Sequence, residues 1–545
     1  MSPAGDGASM GPQLSERRIR LCSALALLLM LALVVVVCRD YGITWDEGAQ
    51  SDYGRRILRW FRTLFRDDSA ATHGDLIYYG GLFEVVAELA AGRTPGNRYE
   101  TRHLVNALVG LLAVLGAQRI GTRIDGPLAG LLSGLFLALT PLFFGHLFNN
   151  PKDTPFAAFS TLALWAMLAA WDGLPRLPAR RVAAVGLATG AALGVRAGGL
   201  VLLFHLFTLF AGWLLVRRPG GGGAPPARRA LLLPLASSFA SIAALAWAVM
   251  LLFWPWAQQS PLARPFQAMK VLLRSSGAAG GSMLFDGREV VVGDLPWSYV
   301  PVWFAVSLPE SYAVALLAGL WLVTRALLRS PRRSPLSART LQLLWLASVS
   351  GLPFLAAVVT RPFLYDGVRH LLFVVPPLAV LAGVAAARFL RSDLPAVART
   401  AFGCLLAASA LLTAVDMIRL HPYEAVYFNR LVAGGVSAAS RRFETDYWGA
   451  SYKEGVEWLV GNYGHDAGRE VRVTCTYVAR PCIHYLDASA PESRRFRYVS
   501  FEEDPDVVLS ITRGRIHERF RGRVLHVVER MGAPLLFVVE LRPPG

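Results

Sequence analysis

Apolar runs long enough to cross a membrane recur through most of this sequence, and nothing constrains its fold more. The first, "LCSALALLLMLALVVVVC", runs from Leu21 to Cys38 without a charge. A bilayer core needs ~20 helical residues to span it. Reading apolar runs against their breakers places spans near 21–38, 104–120, 127–147, 155–171, 182–195, 199–216, 230–253, 302–324, 341–359, 371–388 and 400–418, eleven in all. Residues 182 to 216 are too long for one straight helix, because about 35 residues would reach ~52 Å. "GVRAGG" breaks that run at its centre and predicts a hairpin with Arg196 at its turn. Composition agrees: 54% of residues are hydrophobic and only 17% charged, where a soluble domain carries about a quarter. The chain reads as an α-helical polytopic membrane protein with about 11 transmembrane helices.

A net charge of +17 first suggests nucleic acid, but the basic residues do not gather on a polar domain. They sit in short loops between apolar runs, which is the pattern that orients membrane proteins. With the N-terminal segment 1–20 in the cytoplasm, alternate loops hold Arg119 and Arg123; Arg176, Arg180 and Arg181; Arg217, Arg218, Arg228 and Arg229; Arg325, Arg329, Arg332, Arg333 and Arg339; Arg388, Arg391 and Arg399. The opposite loops hold only Lys152, Arg196, Arg361 and Arg369. An odd span count then leaves residues 419–545 outside. Nucleic acid is excluded as a partner. "SERRIR" before the first run resembles the start of a signal peptide, but the run is too long and lacks a small-residue cleavage site, so a retained helix is expected. "RRPGGGGAPPARR" is a flexible inner connector. Five cysteines are too few for a disulfide scaffold. Cys475 and Cys482 lie together in the tail outside the cytoplasm and flank a turn, which predicts a disulfide.

The polar residues of the outer face are unusual. Thr44-Trp45-Asp46-Glu47 fits a helix capping box, with Thr44 as N-cap. Tyr53, Ile57, Trp60, Phe61, Leu64 and Phe65 follow at helical spacing, with Arg55, Arg56, Arg59, Arg62 and Arg66 on the other face. That reads as an interfacial amphipathic helix within a first outer loop, 39–103. "FGHLFNNPKDTPF" carries His146, Asn149, Asn150, Lys152 and Asp153; "GVRAGG" carries Arg196; "TRPFLYDGVRHLLF" carries Tyr365, Asp366, Arg369 and His370. Any one of these is explained as readily by capping or snorkelling. Four loops choosing acids and cations together are better explained by one site. Trp254 and Trp256 read as membrane-interface anchors ahead of another interfacial helix.

Residues 419–545 change composition to mixed charge and strand-like runs: "REVRVTCTYV", "FRYVSF", "DVVLSITRG" and a hairpin in "RVLHVVERMGAPLLFVVEL" about Met531-Gly532. "SYKEGVEWLVGNYG" reads as a helix capped by Ser451 with Glu454. A small C-terminal α/β extracytoplasmic domain is expected after a transmembrane domain at 21–418.

The stretches "GITWDEG", "NNPKDTPF", "WPW", "LPWSYVPVWF", "YDGVRHLLFVVPP" and "HPYEAVYFN…DYWGASY" resemble, in this order, the GT-C membrane glycosyltransferases. The likeness is to bacterial members of glycosyltransferase family 39, relatives of the dolichyl-phosphate-mannose protein mannosyltransferases. The resemblance covers about residues 40 to 455. It lacks the long soluble insertion of the eukaryotic relatives. It implies an inverting hexosyl- or pentosyltransferase of the inner (plasma) membrane. Such an enzyme moves a sugar from a polyprenyl-phosphate-linked donor among the membrane lipids to a hydroxyl of an acceptor lipid, glycan or protein. Asp46 falls on the catalytic acid position of the motif, with Glu47 as second member of the pair. Lys152, Asp153, Arg196, Arg369 and His370 are the candidate substrate-binding residues, on charge and loop position. The residues leave open a divalent metal bridging Asp46, Asp153 and the phosphate, and imply no other cofactor. The rival class is a transporter or flippase for a lipid-linked or envelope precursor. Transporters carry polar groups near the bilayer midplane and often internal repeats, whereas these spans are nearly free of charge.

Overall fold

The computed structural model describes residues 10–216, 228–274, 281–329, 337–463, 470–489 and 495–542. Among them, nine helices are long and apolar enough to cross a membrane, or up to ten if one bent pair is a single span. The protein is an α-helical integral membrane protein with a small sheet domain at its C-terminal end. Three of the eleven expected spans need correction: the run at 302–324 breaks at Leu308-Pro309 into Tyr299–Ser307 and the longer Glu310–Arg329, and two others differ more. The run at 127–147 is two helices, Pro127–Ala138 and Pro141–Asn149, bent by 65°. Pro141 has no N–H for the Leu137 carbonyl, which takes the Thr140 N–H at 3.2 Å instead, while the Thr140 hydroxyl donates to the Phe136 carbonyl at 2.7 Å. The run at 182–195 is the helix Ala179–Leu193, only 15 residues, or ~22 Å of rise. It does not reach across a bilayer.

The hairpin at Arg196 is present: Ala179–Leu193 ends, a short turn Ala197–Gly199 follows, and Leu200–Val216 returns. Its turn is clamped to the first long loop. Gly80 N–H donates to Val195 at 3.2 Å and Leu82 N–H to Gly194 at 3.0 Å. A Cβ on Gly80 would lie 2.2 Å from the Gly194 oxygen, so the approach requires glycine. The connector reading of 217–229 and the loop arginines Arg332 and Arg333 lie largely outside the described residues. Apolar side chains such as Leu28, Val36, Leu317, Leu328 and Ile418 are exposed on the helix exteriors, as contact with lipid requires.

The amphipathic helix spans Trp45–Arg62 and buries Tyr53, Ile57 and Trp60. It stops before Leu64 and Phe65, both at positive φ and both exposed. Trp254 and Trp256 are buried, and Trp254 Nε1 donates to the Ile77 carbonyl at 2.7 Å. They hold the first loop rather than anchor at a lipid surface. A following helix, Arg264–Arg274, is present as expected.

Strand β1 (Ser282–Phe285) and β2 (Arg288–Val291) form an antiparallel hairpin ahead of the helix Tyr299–Ser307. Its turn residues, Asp286 and Gly287, take φ of 50° and 79°, and Asp-Gly between apolar runs is a strong hairpin signal. The C-terminal sheet contains β3 (Val471–Cys475), β4 (Phe496–Tyr498), β5 (Val507–Ile511), β6 (Arg523–Arg530) and β7 (Ala533–Glu540), in the order β4-β3-β5-β7-β6. β3 runs parallel to β4 and β5; β7 runs antiparallel to β5 and β6. The β6–β7 hairpin turns at Met531 and Gly532, both at positive φ. Cys475 and Cys482 form a disulfide with Cα atoms 6.6 Å apart. The helix Tyr452–Asn462 follows Ser451, but the expected cap is absent. Ser451 donates instead to Asp446, and Glu454 accepts from Tyr423 and Arg530. One buried apolar cluster runs from Met30 in the first helix to Val538 in the last sheet. The sheet domain is therefore packed onto the bundle.

Candidate active site

The first turn of the Trp45–Arg62 helix separates its two adjacent acids. Glu47 turns inward. Its Oε1 accepts the Thr44 N–H at 2.8 Å and its Oε2 meets His103 Nε2 at 2.9 Å, both in buried surroundings. Asp46 turns the other way, is 25% exposed, and sits 3.4 Å from Lys152 Nζ. Gln50 is one turn on and shares that face. In the amide orientation that satisfies both neighbours, Gln50 accepts from Lys152 Nζ at 2.9 Å and donates to Glu84 Oε1 at 3.0 Å. Glu84 and Glu88 in turn bracket the buried guanidinium of Arg102. Burial pulls the Lys152 ammonium down, but Asp46, Tyr79 and Tyr365 outweigh it and raise its pKa. The amine stays charged.

The three loop cations of the sequence reading meet here. Lys152 and Arg196 lie over one ring, that of Tyr79, at 5.0 and 5.6 Å from its centroid. An aromatic face between two cations offsets their repulsion. Arg196 pairs with Asp153 Oδ1 at 2.6 Å, and Arg369 with Asp153 Oδ2 at 3.4 Å. Arg369 also pairs with Asp366 at 3.1 Å and lies between Tyr365 and Trp448, 4.7 Å from each ring centroid. Asn150 holds the start of the next helix, accepting from the Asp153 N–H at 2.9 Å and donating to its carboxylate at 3.0 Å. Lys152, Arg196 and Arg369 converge here with Asp46, Asp153 and Asp366, and Arg513 adds a fourth cation on Asp366.

His370 stands apart from the ion pairs. Its ring meets Tyr365 edge-on at 4.8 Å, and its Nδ1 is buried without a partner among the described residues. Among those residues, no group of three His, Cys, Asp or Glu is arranged to hold a metal ion. Several site residues were not assigned from the sequence. Tyr79, Gln50 and Glu84 sit in the first loop, and Arg513, which pairs with Asp366, comes from the tail. Gln50 had a usable signal, its four-residue spacing from Asp46. Arg513 had none, since only the packing of the sheet domain brings it in.

Residues 95–222 match the family model described as dolichyl-phosphate-mannose-protein mannosyltransferase. The matched stretch includes Lys152, Asp153 and Arg196, and agrees with the GT-C resemblance read from the loops. No curated protein matches the chain. Among solved structures, an Archaeoglobus fulgidus oligosaccharyltransferase, AglB, in complex with an inhibitory peptide and a dolichol-phosphate is 13% identical, with a TM-score of 0.46. That overlap covers 89% of this chain and 69% of the other. The apo Archaeoglobus fulgidus oligosaccharyltransferase is 14% identical with a TM-score of 0.47, over 86% of this chain and 63% of the other. This chain thus spans less than two thirds of that second structure. The family match likens residues 95–222 to the dolichyl-phosphate-mannose-protein mannosyltransferases.

Proposed function

We propose that this protein is an inverting glycosyltransferase that moves a sugar from a polyprenyl-phosphate donor to an acceptor hydroxyl at the outer face of the membrane. The observation that carries the reading is the placement of Asp46. It is the accessible carboxylate of the cluster, paired with Lys152, beside Arg196 and Arg369 on Asp153. In the proposed step the acceptor oxygen bonds to the anomeric carbon while the bond from that carbon to the phosphate oxygen breaks. The hydroxyl proton goes to Asp46, and the bond pair leaves with the lipid phosphate. A positioned base and cations at the leaving group are the two aids such a displacement needs. Lys152, Arg196 and Arg369 are assigned to the phosphate. Asp153 is assigned to orienting the two arginines, and His370 to the wall of the same site. Glu47, held by Thr44 and His103, fixes the helix start that aims Asp46. The orientation with 419–545 outside the cytoplasm rests on the loop arginines.

The test uses the purified full chain, a polyprenyl-phosphate sugar and an envelope-derived acceptor. Wild type should release polyprenyl phosphate, and Asp46→Asn should not, while Glu47→Gln loses less. An Asp46→Asn protein that inserts normally and transfers at the wild-type rate ends the proposal.

A further inference from the structure

Two parts of the chain that are far apart in sequence meet at one guanidinium. Arg513 directly follows β5 and its loop in the sheet domain, and its side chain is buried. It donates to Asp366 and to the Tyr447 carbonyl, the latter at 3.1 Å. Its guanidinium lies 5.0 Å from the centroid of Trp45, the residue before Asp46. The backbone around it is clamped from three sides. The Tyr477 hydroxyl donates to the Arg513 carbonyl at 2.8 Å, and Glu444 accepts the Gly514 N–H at 3.1 Å. The Thr445 and Thr512 hydroxyls pair at 2.9 Å. Such fixing is more than a surface ion pair would need.

Asp366, fully buried, is shared between Arg513 and Arg369. Arg369 is in turn shared between Asp366 and Asp153. Held at both terminal nitrogens, Arg369 presents Nε, one of the three N–H donors those two bonds leave, in a fixed direction. That atom is buried and without a partner among the described residues. Removing Arg513 would leave Asp366 with Arg369 as its ion-pair partner and so draw Arg369 from Asp153. A planar fork between two carboxylates has no spare geometry with which to absorb such a shift.

We propose that Arg513 is a positioning residue through which the C-terminal sheet domain sets Arg369 and the turn bearing Asp46, so that this domain completes the phosphate-binding site. The proposal rests on the reading of Arg369 as a phosphate partner.

Binding of polyprenyl phosphate itself, followed by tryptophan fluorescence of the purified full chain, tests it apart from catalysis. Arg513→Gln should weaken binding about tenfold and lower kcat/KM for the donor about 100-fold, the cost of a misplaced group. Arg513→Lys keeps the charge but not the fork and should fall between. In an Arg369→Gln background, Arg513→Gln should cost less than about threefold more, because residues acting as one unit are not additive. Fully additive losses, or binding unchanged in Arg513→Gln, overturn the proposal. If both Arg513 variants fail to accumulate, Tyr477→Phe removes only the hydroxyl that holds the Arg513 carbonyl. It should then weaken binding about threefold, and unchanged binding counts against the idea. Normal transfer by Asp46→Asn would remove the function reading while leaving the binding result to stand. A wild-type chain that binds no polyprenyl phosphate removes both.

Discussion

The helix Arg98–Asp125 joins two polar ends of the bundle that are built on different principles. At its Asp125 end, Arg388 and Arg391 close on Asp125, and Arg325 and Arg329 close on Asp393. Most of these groups face solvent, with Asp393 71% and Arg329 64% exposed. At its Arg98 end the carboxylates of Asp153 and Asp366 and the guanidinium of Arg369 are 2% exposed or less. Exposed pairs contribute ~0–1 kcal/mol, whereas each buried ion costs several kcal/mol in desolvation before its partners offset it. Both ends hold arginine and aspartate. Only one holds them where water cannot do the same work, and there the arrangement needs a reason beyond stability. Asp46 and Lys152 form the accessible edge of that buried set.

The contrast is broken first at Asp46. Asp46→Asn should lower sugar transfer by about 10²–10⁴-fold, the usual contribution of a positioned base, with the thermal transition unchanged. Lys152→Met comes next, with an expected loss of about 10²-fold in kcat/KM, typical of removing one group that stabilises developing charge. A purified Lys152→Met protein with wild-type donor kinetics would move the phosphate elsewhere.

Glu444 sharpens the contrast through pH. Burial pushes its carboxyl up to about 7, helped by Asp366 and opposed by Arg513 and the N–H groups of Gly514 and Leu284. A carboxyl raised in the folded state stabilises most below its unfolded pKa near 4.3, and that contribution is lost as pH rises through about 7. Glu444→Gln, which keeps an acceptor oxygen and cannot ionise, should therefore stabilise the protein relative to wild type at pH 8 by up to about 3 kcal/mol. The two should converge toward pH 5. Thermal unfolding in detergent at both pH values measures it, and an equal pH slope in both proteins refutes the assignment. The smallest effect belongs to the other end. Asp393→Asn should change stability by less than about 1 kcal/mol and leave transfer within about twofold. A larger loss of transfer would mean that the two ends are coupled.

Much of the fold was legible because its signals are local. The apolar runs gave helices at every expected span, since a helix in lipid satisfies its own backbone, and "ERMGAP" marked a hairpin that Met531 and Gly532 make. The failures also have physical causes. Span lengths near 127–147 and 182–195 depended on where Pro141 and Gly194 stop a helix. Hydropathy alone does not report such stops. Trp254 read as an interface anchor because its neighbours are aromatic and proline-rich, but its N–H goes to the Ile77 carbonyl, a partner distant in sequence.

Sequence alone determined that the chain is a polytopic membrane protein, that acids and cations crowd the loops of one face, and that Asp46 heads a helix through its Thr44 capping box. These follow from hydropathy, charge and short-range backbone chemistry. Only the tertiary structure decided which of the two adjacent acids is accessible, because the choice depends on His103 meeting Glu47 from another helix. It alone placed Lys152 and Arg196 on the ring of Tyr79, and Arg513 on Asp366 across 147 residues of chain. Buried charges are tolerated only where partners converge, and that convergence is a property of packing that no local pattern in the chain encodes.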